Sequence, residues 1–153
     1  MLSYGFIRVK VFAHRCRVEI TVVGSGTAPP RLARRQSCVA VCSEGEMMVF
    51  AHGSGAVGGM LHAGLDPFAV NRIFFTHFHP DHTVDAVSLL FFIKYGADEE
   101  RERPLYISGP EPFREFWEKI MAVWDRGCVA ATRRRYTSFP CMTAKHYTCP
   151  AEP

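Results

Sequence analysis

The segment VNRIFFTHFHPDH, residues 70–82, constrains this chain more than any other. An apolar run, Ile73–Phe75, leads into His77, His79, Asp81 and His82, so three of the seven histidines fall within six positions. The apolar and aromatic content predicts a buried strand over 71–77. Side chains two apart in an extended segment share a side, so His77 and His79 project together. Pro80 stops the strand and turns the chain. Asp81 and His82 follow at the mouth of the next helix. A single histidine beside a turn reads as a surface residue. His-x-His-x-Asp-His straight after a buried strand combines the residue types and the context a metal site needs.

This arrangement predicts two adjacent divalent metal ions, one on His77 and His79, the other on Asp81 and His82. Imidazole with one carboxylate suits zinc, with manganese or iron as alternatives. Two such ions can share a bridging water, make it hydroxide at neutral pH and clamp the oxygens of a phosphoester. A free carboxylate oxygen of Asp81 can accept or relay the proton.

The rest of the chain places this segment in an α/β layer architecture. VEITVVG (18–24) reads as a buried strand and GSGTAPPR (24–31) as a loop. SCVAVCS (37–43) and EMMVF (46–50) form a hairpin through Glu44-Gly45. Residues 53–64 open as a glycine loop and become helical, with Gly64 as the stop. Residues 83–96 predict one helix, PLYIS (104–108) a strand, and 111–125 an amphipathic helix presenting Phe113, Phe116, Trp117, Ile120, Met121 and Trp124. Past Arg126 the pattern weakens. Residues 1–16 are either an N-terminal extension or an edge strand, and 17–153 read as one domain.

Length and composition agree with one globular domain of 153 residues that can bury a core without staples. No apolar stretch approaches a membrane span. Arg8, Lys10, Arg15 and Arg17 interrupt the N-terminus, which does not read as a signal peptide. The six cysteines contain no CxxC pair and read as free thiols, so the expected location is cytoplasmic. The net charge of +3 is mild, and the basic runs at 31–35 and 133–135 are either solvated faces or phosphate contacts. A zinc-stabilised nucleic-acid module would need closed Cys/His sets, and the cysteine spacing offers none.

THFHPDH after IFF resembles the HxHxDH signature of the metallo-β-lactamase fold superfamily. VVGSGTAPP, MMVFAHGSGAVGGMLHAGLDP and PLYISGPEPFREFWEKI resemble segments of its ribonuclease Z-like branch, a likeness covering roughly 17–125. The resemblance implies an αββα sandwich, two sheets face to face with helices outside, of which this chain carries mainly the N-terminal half. It implies a dinuclear site with His77 and His79 on the first metal, Asp81 and His82 on the second, and Asp81 placed for proton transfer. It implies hydrolysis of phosphodiester bonds, as in RNA, or of related esters.

Two departures carry expectations of their own. Where relatives have an aspartate before the glycine loop, this chain has Ala51 in AHGSG, which leaves His52, Gly53 and Gly55 to support the site. His52 is either a loop histidine or a substitute for the aspartate. The family also takes two further histidines and a bridging aspartate from its C-terminal half. Only His146 stands where the first of these is expected, and no aspartate follows Asp125. The chain is therefore expected to be incomplete, with one sheet largely missing and the inner face of the other exposed. That favours a homodimer or another partner chain. The alternative to a hydrolase is a non-catalytic remnant or half-domain that binds metal weakly.

Overall fold

The computed structural model describes residues 6–13, 16–96, 103–124 and 138–139. They form one seven-stranded sheet with its strands in sequence order. β1 (Ile7–Ala13), β2 (Cys16–Gly24), β3 (Cys38–Ser43) and β4 (Glu46–Phe50) run antiparallel as a meander. β5 (Val70–Phe74), β6 (Tyr106–Ser108) and β7 (Ser138–Phe139) then add in parallel.

Local sequence explains the joints. Glu44 and Gly45 both take positive φ, 50° and 80°, as a two-residue hairpin turn between right-twisted strands demands. α1 (Ala56–His62) starts behind Gly55, whose φ of 82° brings the loop round into the helix. α2 (Pro80–Thr83) is a single turn with Pro80 in its first position, where a missing N–H costs nothing. α3 (Asp85–Tyr95) follows directly. α4 (Phe113–Trp124) buries Phe113, Trp117 and Met121, one residue per turn along a single stripe.

The helices share one core with one face of the sheet. Val23, Cys38, Ala40, Met47, Val49 and Ile73 meet Met60 of α1, Leu89, Leu90 and Ile93 of α3, and Phe113, Trp117 and Met121 of α4. Alternate residues on β3 and β4 turn inward, the period of two that a half-covered sheet imposes.

Two boundaries beside the histidines differ from those the sequence predicts. The strand expected over 71–77 ends at Phe74, because its neighbour β4 ends opposite it at Phe50 and Ala51 turns away with φ of 59°. The histidines accordingly stand on a loop beyond the strand. The helix expected over 83–96 begins earlier, so Asp81 and His82 lie within the helical turn of α2. His146, Arg133–Arg135, Cys141 and Cys149 lie outside the described residues.

Candidate metal centre

Three loops meet at the carboxyl ends of the parallel strands, the usual place for a site in such a sheet. One follows β4 (51–55), one follows β5 (75–79), and one follows β6 at Gly109. Phe75 extends the second loop by donating its N–H to Ser108 O at 2.8 Å. Gly109 lies where a Cβ would stand 2.7 Å from the Phe113 ring and 3.1 Å from that of Phe78, so only glycine lets those rings close on the loop.

The histidines gather at this edge. The ring of His77 lies 4.8 Å, centroid to centroid, from His79 and 4.1 Å from His82. Thr76 Oγ1 is 3.0 Å from His77 Nδ1 and holds that ring. His82 Nε2 stands 3.6 Å from Asp81 Oδ2. Thr83 Oγ1 donates to His79 O at 3.1 Å and His82 N to the same carbonyl at 2.9 Å, which fixes His79 as the extended residue opening α2. His79 is exposed, and His77, Asp81 and His82 are half-buried, so the cluster opens to solvent. Partial burial pushes the pKa of His82 down, the His77 and His79 rings add to the effect, and Asp81 opposes it. A neutral imidazole is the ligating form.

The β4 loop buttresses the turn from beneath. His52 N donates to His82 O at 2.6 Å, and Asp85 N donates to His52 O at 3.0 Å. Gly53 N is held by Ser37 O at 2.9 Å, and Ser54 N by the Gln36 side chain at 3.0 Å. A Cβ on Gly53 would sit 2.0 Å from Asp81 O, so the loop and turn are in backbone contact. His52 is fully buried, and neither ring nitrogen meets a hydrogen-bond partner among the described residues. Burial brings its pKa down to about 4, against the opposing pull of the Asp85 charge and backbone. Ala51 N donates to Phe74 O at 2.9 Å.

Asp85 is the contributor that the motif did not reveal. Its Oδ2 accepts from Val57 N at 2.8 Å, joining the start of α3 to the start of α1. The signal was its place as the first acidic residue of a helix, three after His82.

The donor set suits a divalent cation in kind: three imidazoles beside a carboxylate. Its closure is partial. Among the described residues, no group of three or more His, Cys, Asp or Glu side chains is gathered to hold a metal ion.

Fold and motif together place the chain in a class: the metallo-β-lactamase fold, here represented by one sheet and its helices. The metallo-β-lactamase fold protein YhfI from Bacillus subtilis matches with a TM-score of 0.66 at 18% identity, over 87% of this chain and 50% of that one. Within the class the chain is similar in sequence to ribonuclease Z. It is 35% identical to ribonuclease Z of Pyrococcus abyssi over 104 residues, 68% of this chain and 33% of that protein. Ribonuclease Z of Methanothermobacter thermautotrophicus gives the same identity and coverage. The short form of human tRNase Z matches with a TM-score of 0.62 at 26% identity, over 79% of this chain and 44% of that one. No family model matches the sequence. The chain spans about a third of the length of the curated relatives it matches.

Proposed function

We propose that this chain is a metal-dependent hydrolase of the ribonuclease Z-like group, acting on phosphodiester bonds such as those of RNA. What carries the reading is the cluster of His77, His79 and His82 around a turn at the carboxyl ends of parallel strands, in a chain similar to ribonuclease Z. His77, His79, Asp81 and His82 would hold two divalent ions, zinc first, manganese or iron as alternatives. Bound there, the ions would supply an acidified water and positive charge beside the phosphoryl oxygens. Asp81 takes the proton of the attacking water on its free carboxylate oxygen and passes it to the leaving oxygen. Thr76 orients His77, and the His52–Gly53 backbone fixes the turn that carries Asp81 and His82.

We further infer one domain over 17–153 preceded by residues 1–16 as an extension or edge strand, the pairing of β1 with β2 supporting the edge strand, together with a cytoplasmic location and a second copy of the chain as partner. His146 remains a proposed further ligand. The test is cleavage of a chromogenic phosphodiester and of an RNA with a 3′ extension by the metal-loaded protein. Loss of turnover in Asp81→Asn with metal retained supports the reading. Turnover that survives both Asp81→Asn and His77→Ala/His79→Ala sinks it.

The incomplete closure of the donor set favours a second reading, a non-catalytic half-domain that binds metal weakly. Metal binding without phosphodiester turnover under every metal tried supports that reading instead.

A further inference from the structure

His77 and His79 stand on chain that the sheet no longer holds. β5 ends at Phe74, and Phe75 N makes the next tie, to Ser108 O at 2.8 Å. Among the described residues, the main chain of Thr76, His77 and Phe78 makes no hydrogen bond. Order in this stretch costs conformational entropy, and side chains have to supply what offsets it.

An aromatic cluster shared with α4 does so. Phe75, buried, lies 6.4 Å from the Phe113 ring and 6.2 Å from that of Trp117. Phe78, between the two histidines, stacks on Phe116 at 4.2 Å with the planes 15° apart, and lies 6.3 Å from Phe113. These are separations at which aromatic pairs attract. His77 is thus bracketed by anchored rings at 75 and 78. His79 has Phe78 on one side and the start of α2 on the other, where its carbonyl accepts from Thr83 Oγ1 and His82 N. Asp81 and His82 are held differently, by main-chain contact with the loop after β4.

We propose that Phe78 is a positioning residue for the His77/His79 half of the site, acting through its stack on Phe116 of α4. The inference rests on the metal reading above and adds a residue to it. Phe78 is one residue from each imidazole, so a drift of its ring is passed to both. A stack of two rings fixes orientation as well as distance. Its partner lies on α4, which carries none of the proposed ligands, so the helix serves the site through this contact. A ligand pair fixed before the ion arrives gives up less freedom on binding it.

The test reads the imidazoles directly. Carbon-13 relaxation of the histidine Cε1–H groups is measured on the metal-free full chain, and cobalt(II) is then titrated by its visible absorption. In Phe78→Ala, fast motion at His77 and His79 should increase while His82 stays as in the parent. Cobalt affinity should fall about tenfold, the low end for groups that orient metal ligands. Phe116→Ala should do the same from the helix side, and it carries the test if Phe78→Ala does not fold. Phe78→Leu, which keeps an apolar anchor, should recover most of the affinity. Met121→Ala, one turn beyond Trp117 on α4, should lower stability and leave the imidazoles unmoved. Unchanged motion at His77 and His79 in both alanine variants, equal loosening of His82, or the same response in Met121→Ala would overturn the proposal. Relaxation is read without metal, so it decides this proposal even where cobalt uptake fails, a failure that tells against the metal reading instead.

Discussion

The backbone N–H of His52 lies 2.6 Å from the carbonyl oxygen of His82, and this bond ties the glycine loop after β4 to the turn that bears the proposed ligands. The loop passes so close beneath the turn that only a residue without a side chain fits next to it. The position of Asp81 and His82 is therefore set by main-chain contacts.

Gly53→Ala should accordingly be among the most damaging single-methyl changes in the chain. Its Cβ would meet Asp81 O at 2.0 Å and Gln36 Cβ at 2.8 Å, so the loop or the turn must shift. We expect a loss on the order of 2–4 kcal/mol, as for other steric conflicts with backbone. Gly45→Ala has nothing within 4 Å and carries only the strain of its φ of +80°, about 1 kcal/mol. Urea denaturation of the two variants checks the ranking.

Asp85→Asn should loosen the junction of α1 and α3. The carboxylate accepts a hydrogen bond from Val57 N at the start of α1, where negative charge is favoured. Loss of the charge with the shape kept is expected to cost about 1 kcal/mol. Amide hydrogen exchange should rise first at Val57 and its neighbours. Unchanged protection there would remove Asp85 from this role.

His52 makes stability depend on pH. Burial holds its folded pKa at about 4, below the ordinary 6.5, so the unfolded chain binds the proton more readily. Its contribution is fully present above pH 6.5 and is lost as the pH falls toward 4. The full span corresponds to about 3 kcal/mol, as an order of magnitude. In His52→Leu this part of the slope should vanish. The difference between the two stability curves isolates the contribution of His52.

Cys38 should resist thiol reagents in the folded protein. It is fully buried, and burial, helped by the nearby Asp85 charge, pushes its pKa up to about 12. Cys42, half-buried, is also raised, by burial first and then by Glu19, with Arg8 opposing. N-ethylmaleimide with peptide mapping at pH 8 should label Cys42 ahead of Cys38, and Cys38 only on unfolding.

Much of this was legible in the sequence because it is local. The Glu44-Gly45 hairpin follows from turn chemistry. The stripe of Phe113, Trp117 and Met121 follows from helical period, and the strand-turn histidines follow from residue type. What was not legible depends on distant backbone. The end of β5 at Phe74 reflects where its neighbour stops. The role of Gly53 reflects a contact with Asp81, and Asp85 is tied to Val57 across 28 positions. Whether His52 was a loop residue or part of the site depended on burial, which a single loop position does not reveal. Of the two-sheet sandwich, the described residues represent one sheet, with its strands in sequence order.

The central claim is that the turn from His77 to His82 is a metal-holding half-site. Elemental analysis of metal per chain tests it most directly, on the purified 153-residue protein and on His77→Ala/His79→Ala. The account predicts at least one equivalent of zinc or a similar divalent ion in the first and a clear loss in the second, with the fold retained by circular dichroism. Less than one equivalent in both, with no difference between them, would contradict it.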